Sequence, residues 1–116
     1  MNYKAVFHVD QKDGQVFTLA LNNVNNLLNA IPGQEHDLIV LLNGPAVSLA
    51  AREEAVSFME MIQGLAAQGV RFQVCENALE RFEVSRDSLI GECEVIPAGI
   101  VGLIELQNKG FAYIKP

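Results

Sequence analysis

Apolar positions change period several times along this chain, and each change predicts an element. Tyr3 to Val9 is rich in β-forming residues, and Asp10-Gln-Lys-Asp-Gly14 interrupts it with turn chemistry. From Gln15 the spacing becomes helical: Phe17, Ala20 with Leu21, Val24, Leu27 with Leu28, and Ile31 share one face. Asn22, Asn23, Asn25 and Asn26 fill much of the opposite face. Asn is a weak helix former, so this helix depends on packing rather than propensity. Pro32-Gly33 stops it.

His36 to Asn43 contains an uninterrupted Leu-Ile-Val-Leu-Leu run. A run with no polar face fits a strand buried on both sides, as in parallel sheets. Asn43-Gly-Pro45 ends it, and Ala46 to Ala51 reads as a short helical turn. Glu53 to Gln68 predicts a continuous helix with Ala55, Phe58, Met59, Ile62, Leu65 and Ala66 on one stripe. Gly69 stands where a left-handed stop is needed, and Val70 to Cys75 is the third strand. Asn77 is placed to cap a short helix running to Phe82. A polar connector follows from Val84 to Gly91, then a strand at Glu94-Val-Ile-Pro97. Ile100 to Lys109 has helical spacing but is apolar on most of its surface, and Phe111 to Ile114 is a last strand after Gly110.

Strands alternating with helices of these lengths make right-handed crossovers and a parallel sheet. The expected class is α/β: a three-layer α/β/α sandwich with a mostly parallel sheet of about five strands. Residues 1–116 suit a single domain. Strand order is not encoded in the pattern.

Such a sheet binds ligands at the carboxyl ends of its strands, toward which helix N-termini also point. That rim would gather His8 and Asp10, then Asn43, Gly44 and Pro45, then Cys75 and Asn77, then Pro97, Ala98 and Gly99. Composition narrows the chemistry. Half of the residues are apolar and 19% charged, enough for a real core. The net charge is −6, and the Lys and Arg residues are scattered, which argues against nucleic acid as a partner. The N-terminus lacks signal-peptide character and no apolar run approaches membrane-spanning length, so a cytoplasmic setting is the expectation. Two cysteines make no disulfide framework.

Cys75 is the residue on which function turns. It ends a strand beside a helix start, where a reactive thiolate is expected. Equally, a free cysteine there can pack as a small hydrophobe, and the neighbouring Glu76 opposes thiolate formation. His8 is open to two readings, a hydrogen-bonded core histidine or a partner for the thiol. Cys93, flanked by Glu92 and Glu94, is incidental. No metal-ligand spacing, dinucleotide fingerprint, phosphate loop or nucleophile elbow occurs, so neither metal nor cofactor is expected.

Six stretches stand in order along the chain: Lys4-Ala-Val-Phe-His-Val9, Ala20-Leu-Asn-Asn-Val-Asn-Asn-Leu-Leu28, Val40-Leu-Leu-Asn-Gly-Pro-Ala-Val47, Gly69-Val-Arg-Phe-Gln-Val-Cys75-Glu-Asn-Ala-Leu79, Val95-Ile-Pro-Ala-Gly-Ile-Val101 and the tail from Leu103 to Pro116. On these the chain resembles the DsrE/DsrF-like group of small α/β proteins, which includes sulfur-relay subunits. The resemblance implies a five-stranded parallel sheet, homo-oligomers such as trimers or hexamers, and a cysteine at the third strand's end that carries sulfur as a persulfide. Cys75 falls on that position. Donor and acceptor proteins would be its partners. The alternative is a non-catalytic homo-oligomeric assembly or small-ligand-binding protein in which Cys75 is structural, suggested by the many-sided apolar last helix.

Overall fold

A computed structural model describes residues 2–116. β1 (Tyr3–Val9) leads into α1 (Gly14–Ala30), whose N-terminus is capped by Asp13: its carboxylate accepts from the amides of Gln15 and Val16. Phe17, Ala20, Leu21, Val24 and Leu28 are buried, the stripe that the spacing predicts. β2 (His36–Leu42) follows, buried continuously from Leu38 to Leu42 because it is central in the sheet and its alternate side chains enter apolar cores on opposite faces.

Two local differences from expectation follow. The turn after β2 is a 3-10 helix over Gly44–Ala50 that buries Ala46, Val47, Leu49 and Ala50. The next helix is not continuous. It divides into α2 (Arg52–Ala55), a 3-10 turn (Val56–Phe58) and α3 (Met59–Ala67). Val56 and Ser57 are weak helix formers, and at this tightened turn the Phe58 ring meets Phe17 edge-on, with centroids 4.9 Å apart. Gly69, at φ +91°, then reverses the chain into β3 (Arg71–Cys75). Next come α4 (Glu76–Arg81), a 3-10 turn (Arg86–Ser88), β4 (Cys93–Ile96), α5 (Gly99–Asn108) and β5 (Ala112–Ile114).

All strand pairs are parallel, in the order β4-β3-β2-β1-β5. The chain steps across the sheet from β1 to β4 and then returns to the far side of β1 for β5. Right-handed crossovers in opposite directions put their helices on opposite faces. One face therefore carries α1, α3 and α4 over a large core that includes Phe7, Phe17, Val40, Ile62 and Phe72. The other carries α5 alone, over Val6, Ile39, Leu41, Leu103, Leu106 and Phe111. Helices cover both faces of the sheet, as the three-layer reading requires, though unequally. Among the described residues no helix is long and apolar enough to cross a membrane.

Candidate functional site

The topology selects one place at the carboxyl edge of the sheet. β3 continues into α4 on the larger core, whereas β4 continues into α5 on the other face. Between these diverging connections a crevice is left open, the usual ligand position in open parallel sheets. Cys75 ends one strand and Gly99 begins the helix after the other, and in the sheet Cys75 lies level with Ile96.

The amide of Gly99 donates a hydrogen bond to Cys75 Sγ at 3.2 Å. It belongs to the first turn of a ten-residue helix, where backbone N–H groups carry partial positive charge. Cys75 is 6% exposed, and its accessible part faces a cleft of about 230 Å³ shared with Asn43, Gly44, Asn77, Phe82, Gly99 and Ile100. The approach of α5 to Cys75 requires glycine. A methyl group added at Gly99 would stand 3.0 Å from Asn43 Cβ, 3.1 Å from Asn43 Nδ2 and 3.3 Å from Cys75 Cβ. Gly44 is similarly constrained, with φ +57° and the Asp10 carbonyl 3.2 Å from where its Cβ would be.

Asn77 does not cap α4. The helix starts directly after the strand, so Cys75 itself occupies the capping position by its backbone, and Asn77 falls in the first turn on the cleft wall. Glu76 is paired with Arg86 at 3.3 Å, which offsets the negative charge next to Cys75. Arg71 is remote, at the other end of β3, bonded to Asp37 at 2.6 Å.

His8 does not touch Cys75. It is half-buried on the α5 face of β1, with Nε2 2.7 Å from Asn43 Oδ1 and Nδ1 2.7 Å from the Tyr113 hydroxyl. Asn43 thus bridges the histidine and the cleft. Asp10 points elsewhere, to Lys115, whose hydrogen bond and charge hold the Asp10 carboxyl below its usual range against the opposing effect of burial. Pro45 is taken up in the 3-10 helix after β2. Pro97 lines a separate groove of about 450 Å³ along α5, together with Ile96, Arg71 and Lys109, while Ala98 borders both spaces. Of the rim residues expected from the sequence, Asn43, Gly44, Cys75, Asn77, Ala98 and Gly99 converge, and His8 joins them through Asn43.

Sequence reasoning missed Tyr113, Phe82 and Ile100. Tyr113 reaches His8 because β5 pairs with β1, aligning Val6 with Tyr113, and that pairing depends on a strand order the pattern does not carry. Cys93 stands apart, packed on the larger core. Burial, with repulsion from Glu92 second, pushes its thiol up to about 12. Glu94 is engaged by Gln73 at 2.8 Å, so the expected repulsion from both flanking carboxylates gives way to burial as the main cause. Among the described residues no cluster of three or more His, Cys, Asp or Glu side chains forms a metal site.

The chain is similar over nearly its whole length to solved structures. A protein of unknown function from Methanobacterium thermoautotrophicum shares 30% identity, with 98% of this chain and 99% of that one covered and a TM-score of 0.88. The ychN protein from E. coli has 19% identity, covers 98% and 99% of the two chains, and gives a TM-score of 0.77. A conserved protein of unknown function from Bacteroides thetaiotaomicron has 17% identity, coverage of 97% and 94%, and a TM-score of 0.71. The last two likenesses are of fold alone. The comparison with curated proteins gives no match. The sequence pattern of the DsrE/DsrF-like family matches residues 4–116, and the chain belongs to that family.

Proposed function

We propose that this protein accepts and passes sulfur as a persulfide on Cys75. The observation that carries the reading is the Cys75 sulfur itself, held in the switch-point crevice with the Gly99 amide directed at it and a small cleft before it. Membership of the DsrE/DsrF-like family supports the reading, since the group includes sulfur-relay subunits.

The Cys75 thiolate attacks the outer sulfur of a donor persulfide. A bond forms between Sγ and that sulfur, the donor's S–S bond breaks, and the donor sulfur leaves with the electron pair and takes up a proton. An acceptor thiolate reverses the step, so no net oxidation occurs and no metal or organic cofactor is required. The Gly99 amide hydrogen-bonds to sulfur throughout, and Asn77 with the other cleft walls encloses the transferred atom. The reduced cytosol suits this chemistry, and sulfur donor and acceptor proteins are its partners. Incubation with a persulfide donor, read by intact-protein mass spectrometry, should add one sulfur to wild type and to Cys93→Ser but not to Cys75→Ser. Equal loading of wild type and Cys75→Ser sinks the proposal.

One observation favours a second reading, assembly without sulfur transfer. Ile100 is 63% exposed, Val101 49% and Ile104 53%, a continuous apolar stripe on the outer side of α5. A homo-oligomer, a trimer or hexamer, would cover it. Light scattering should report an oligomer that Ile104→Glu dissociates; a monomeric wild type removes this reading.

A further inference from the structure

The polar chain from Tyr113 through His8 to Asn43 does not reach the Cys75 sulfur, yet it ends at the wall of the cleft. Asn43 Oδ1 is 2.7 Å from His8 Nε2, and His8 Nδ1 is 2.7 Å from the Tyr113 hydroxyl. A carboxamide oxygen only accepts hydrogen bonds, so Nε2 carries the hydrogen and donates it to Asn43. In the neutral ring Nδ1 is then left to accept from the Tyr113 hydroxyl. The chain therefore has a direction, and its result is that the Asn43 NH2 group is turned away from His8.

That amide nitrogen faces Gly99. It lies 3.1 Å from the point where a Gly99 Cβ would stand, and Cys75 Cβ lies 3.3 Å from the same point. Among the described residues Asn43 makes no hydrogen bond to Cys75 Sγ, whose amide partner is Gly99. A donor oriented into the cleft beside the thiol, but not bonded to the bare sulfur, fits a second atom attached to that sulfur. An S–S bond extends the side chain by about 2 Å, the length of one further sulfur.

We propose that Asn43 Nδ2 donates to the outer sulfur of a Cys75 persulfide, and that His8 and Tyr113 are positioning residues that hold the carboxamide in the orientation this needs. The inference rests on the sulfur-carrier reading for its purpose but not for its geometry. Gly99 grips the inner sulfur and Asn43 the outer one. The terminal sulfur of a persulfide anion carries the charge and accepts hydrogen bonds, so a fixed donor there lengthens the lifetime of the loaded state.

The test uses the full chain carrying Cys93→Ala, so that Cys75 is the only thiol. Methyl methanethiosulfonate places an outer sulfur on Cys75 as a methyl disulfide, releasing methanesulfinate, whether or not the protein is a sulfur carrier. Labelling should shift the Asn43 side-chain NH2 pair in the 1H–15N spectrum, assigned by its loss in Asn43→Asp. The shift should vanish in His8→Leu and return in His8→Gln, which keeps a donor for Asn43 Oδ1. With a persulfide donor, Asn43→Ala should lose its loaded sulfur about tenfold faster than wild type, the effect of one hydrogen bond to a charged group. An unmoved Asn43 pair, a shift indifferent to His8→Leu, or failure of the reagent to reach Cys75 overturns the inference. A shifted Asn43 pair without persulfide loading upholds the Asn43 contact with an outer sulfur on Cys75 and rejects the carrier reading. Loading with unchanged lifetime in Asn43→Ala does the reverse.

Discussion

Replacing Gly99 with alanine introduces one methyl group at the closest packed point of the crevice. Its Cβ would lie 3.0 Å from Asn43 Cβ and 3.3 Å from Cys75 Cβ. Comfortable carbon contacts begin at about 3.5 Å, so a displacement of roughly half an ångström is required. Neither neighbour is the tip of a flexible side chain; both Cβ atoms are fixed to strand-end backbone, and overpacking of this kind costs about 1–3 kcal/mol. Alanine's better helix propensity returns at most about 1 kcal/mol, leaving a net loss of roughly 1–2 kcal/mol. Gly64 is the control. It is exposed within α3 with nothing within 4 Å of its would-be Cβ, so Gly64→Ala should gain about 0.5–1 kcal/mol. The two variants should therefore differ by about 1.5–3 kcal/mol, or roughly 6–12 °C in Tm for a chain of this size. Circular dichroism melts and urea titrations at matched protein concentration measure this. Slower modification of Cys75 by a thiosulfonate should accompany the loss in Gly99→Ala. Equal stability of Gly99→Ala and Gly64→Ala would refute the packing argument.

Cys93 gives a pH prediction. Its thiol is raised from 9.0 to about 12 by burial, so between these values the unfolded chain ionises while the folded one keeps its proton. Folding stability should then fall as pH rises from 9 toward 12, and Cys93→Ala should flatten that decline in urea titrations. Over the same range Cys93 should resist alkylation by iodoacetamide in the folded protein and react once the chain is unfolded in urea, as read by peptide mapping. The Asp10–Lys115 pair acts at the other end of the scale. Asp10 is lowered from 3.8 chiefly by its hydrogen bond to Lys115, so the contribution is complete above that value and fades as pH falls through the lowered one. Both side chains are more than a third exposed, so Lys115→Ala should cost less than about 1 kcal/mol at neutral pH and progressively less as pH falls below 3.8. In the larger core, Phe72→Ala should cost about 3–5 kcal/mol in the same titrations, since the ring is fully buried between β3 and its helices.

Elements whose burial has a periodic signature were legible in the sequence. The stripe from Phe17 to Leu28 and the solid run from Leu38 to Leu42 each state which faces are covered. Gly69 marked the reversal, and the strand ends placed Cys75 at the rim. Strand order was not legible, because every strand offers its neighbours the same backbone ladder and similar apolar faces. The site suffered accordingly: only β5 lying beside β1 brings Tyr113 to His8, and only its return crossover sets α5 against Cys75. The interruption at Val56–Phe58 escaped notice because the stripe Ala55, Ile62, Leu65 continues through it.

The unequal covering of the sheet bears on how the molecule opens. α5 and β5 rest on a small apolar cluster and a three-residue ladder to β1. A segment with so few buried contacts should detach at a lower free energy than the rest, and native-state hydrogen exchange would show it as a cooperative unit. That same unit supplies both the Gly99 amide and the Tyr113 hydroxyl. Each excursion would strip Cys75 of its Gly99 donor and His8 of its Tyr113 partner while the four-strand remainder stays folded. The thiol would then alternate between a gripped, enclosed sulfur and an ungripped, open one, and exchange with a bulky partner would be timed by the breathing of α5 and β5.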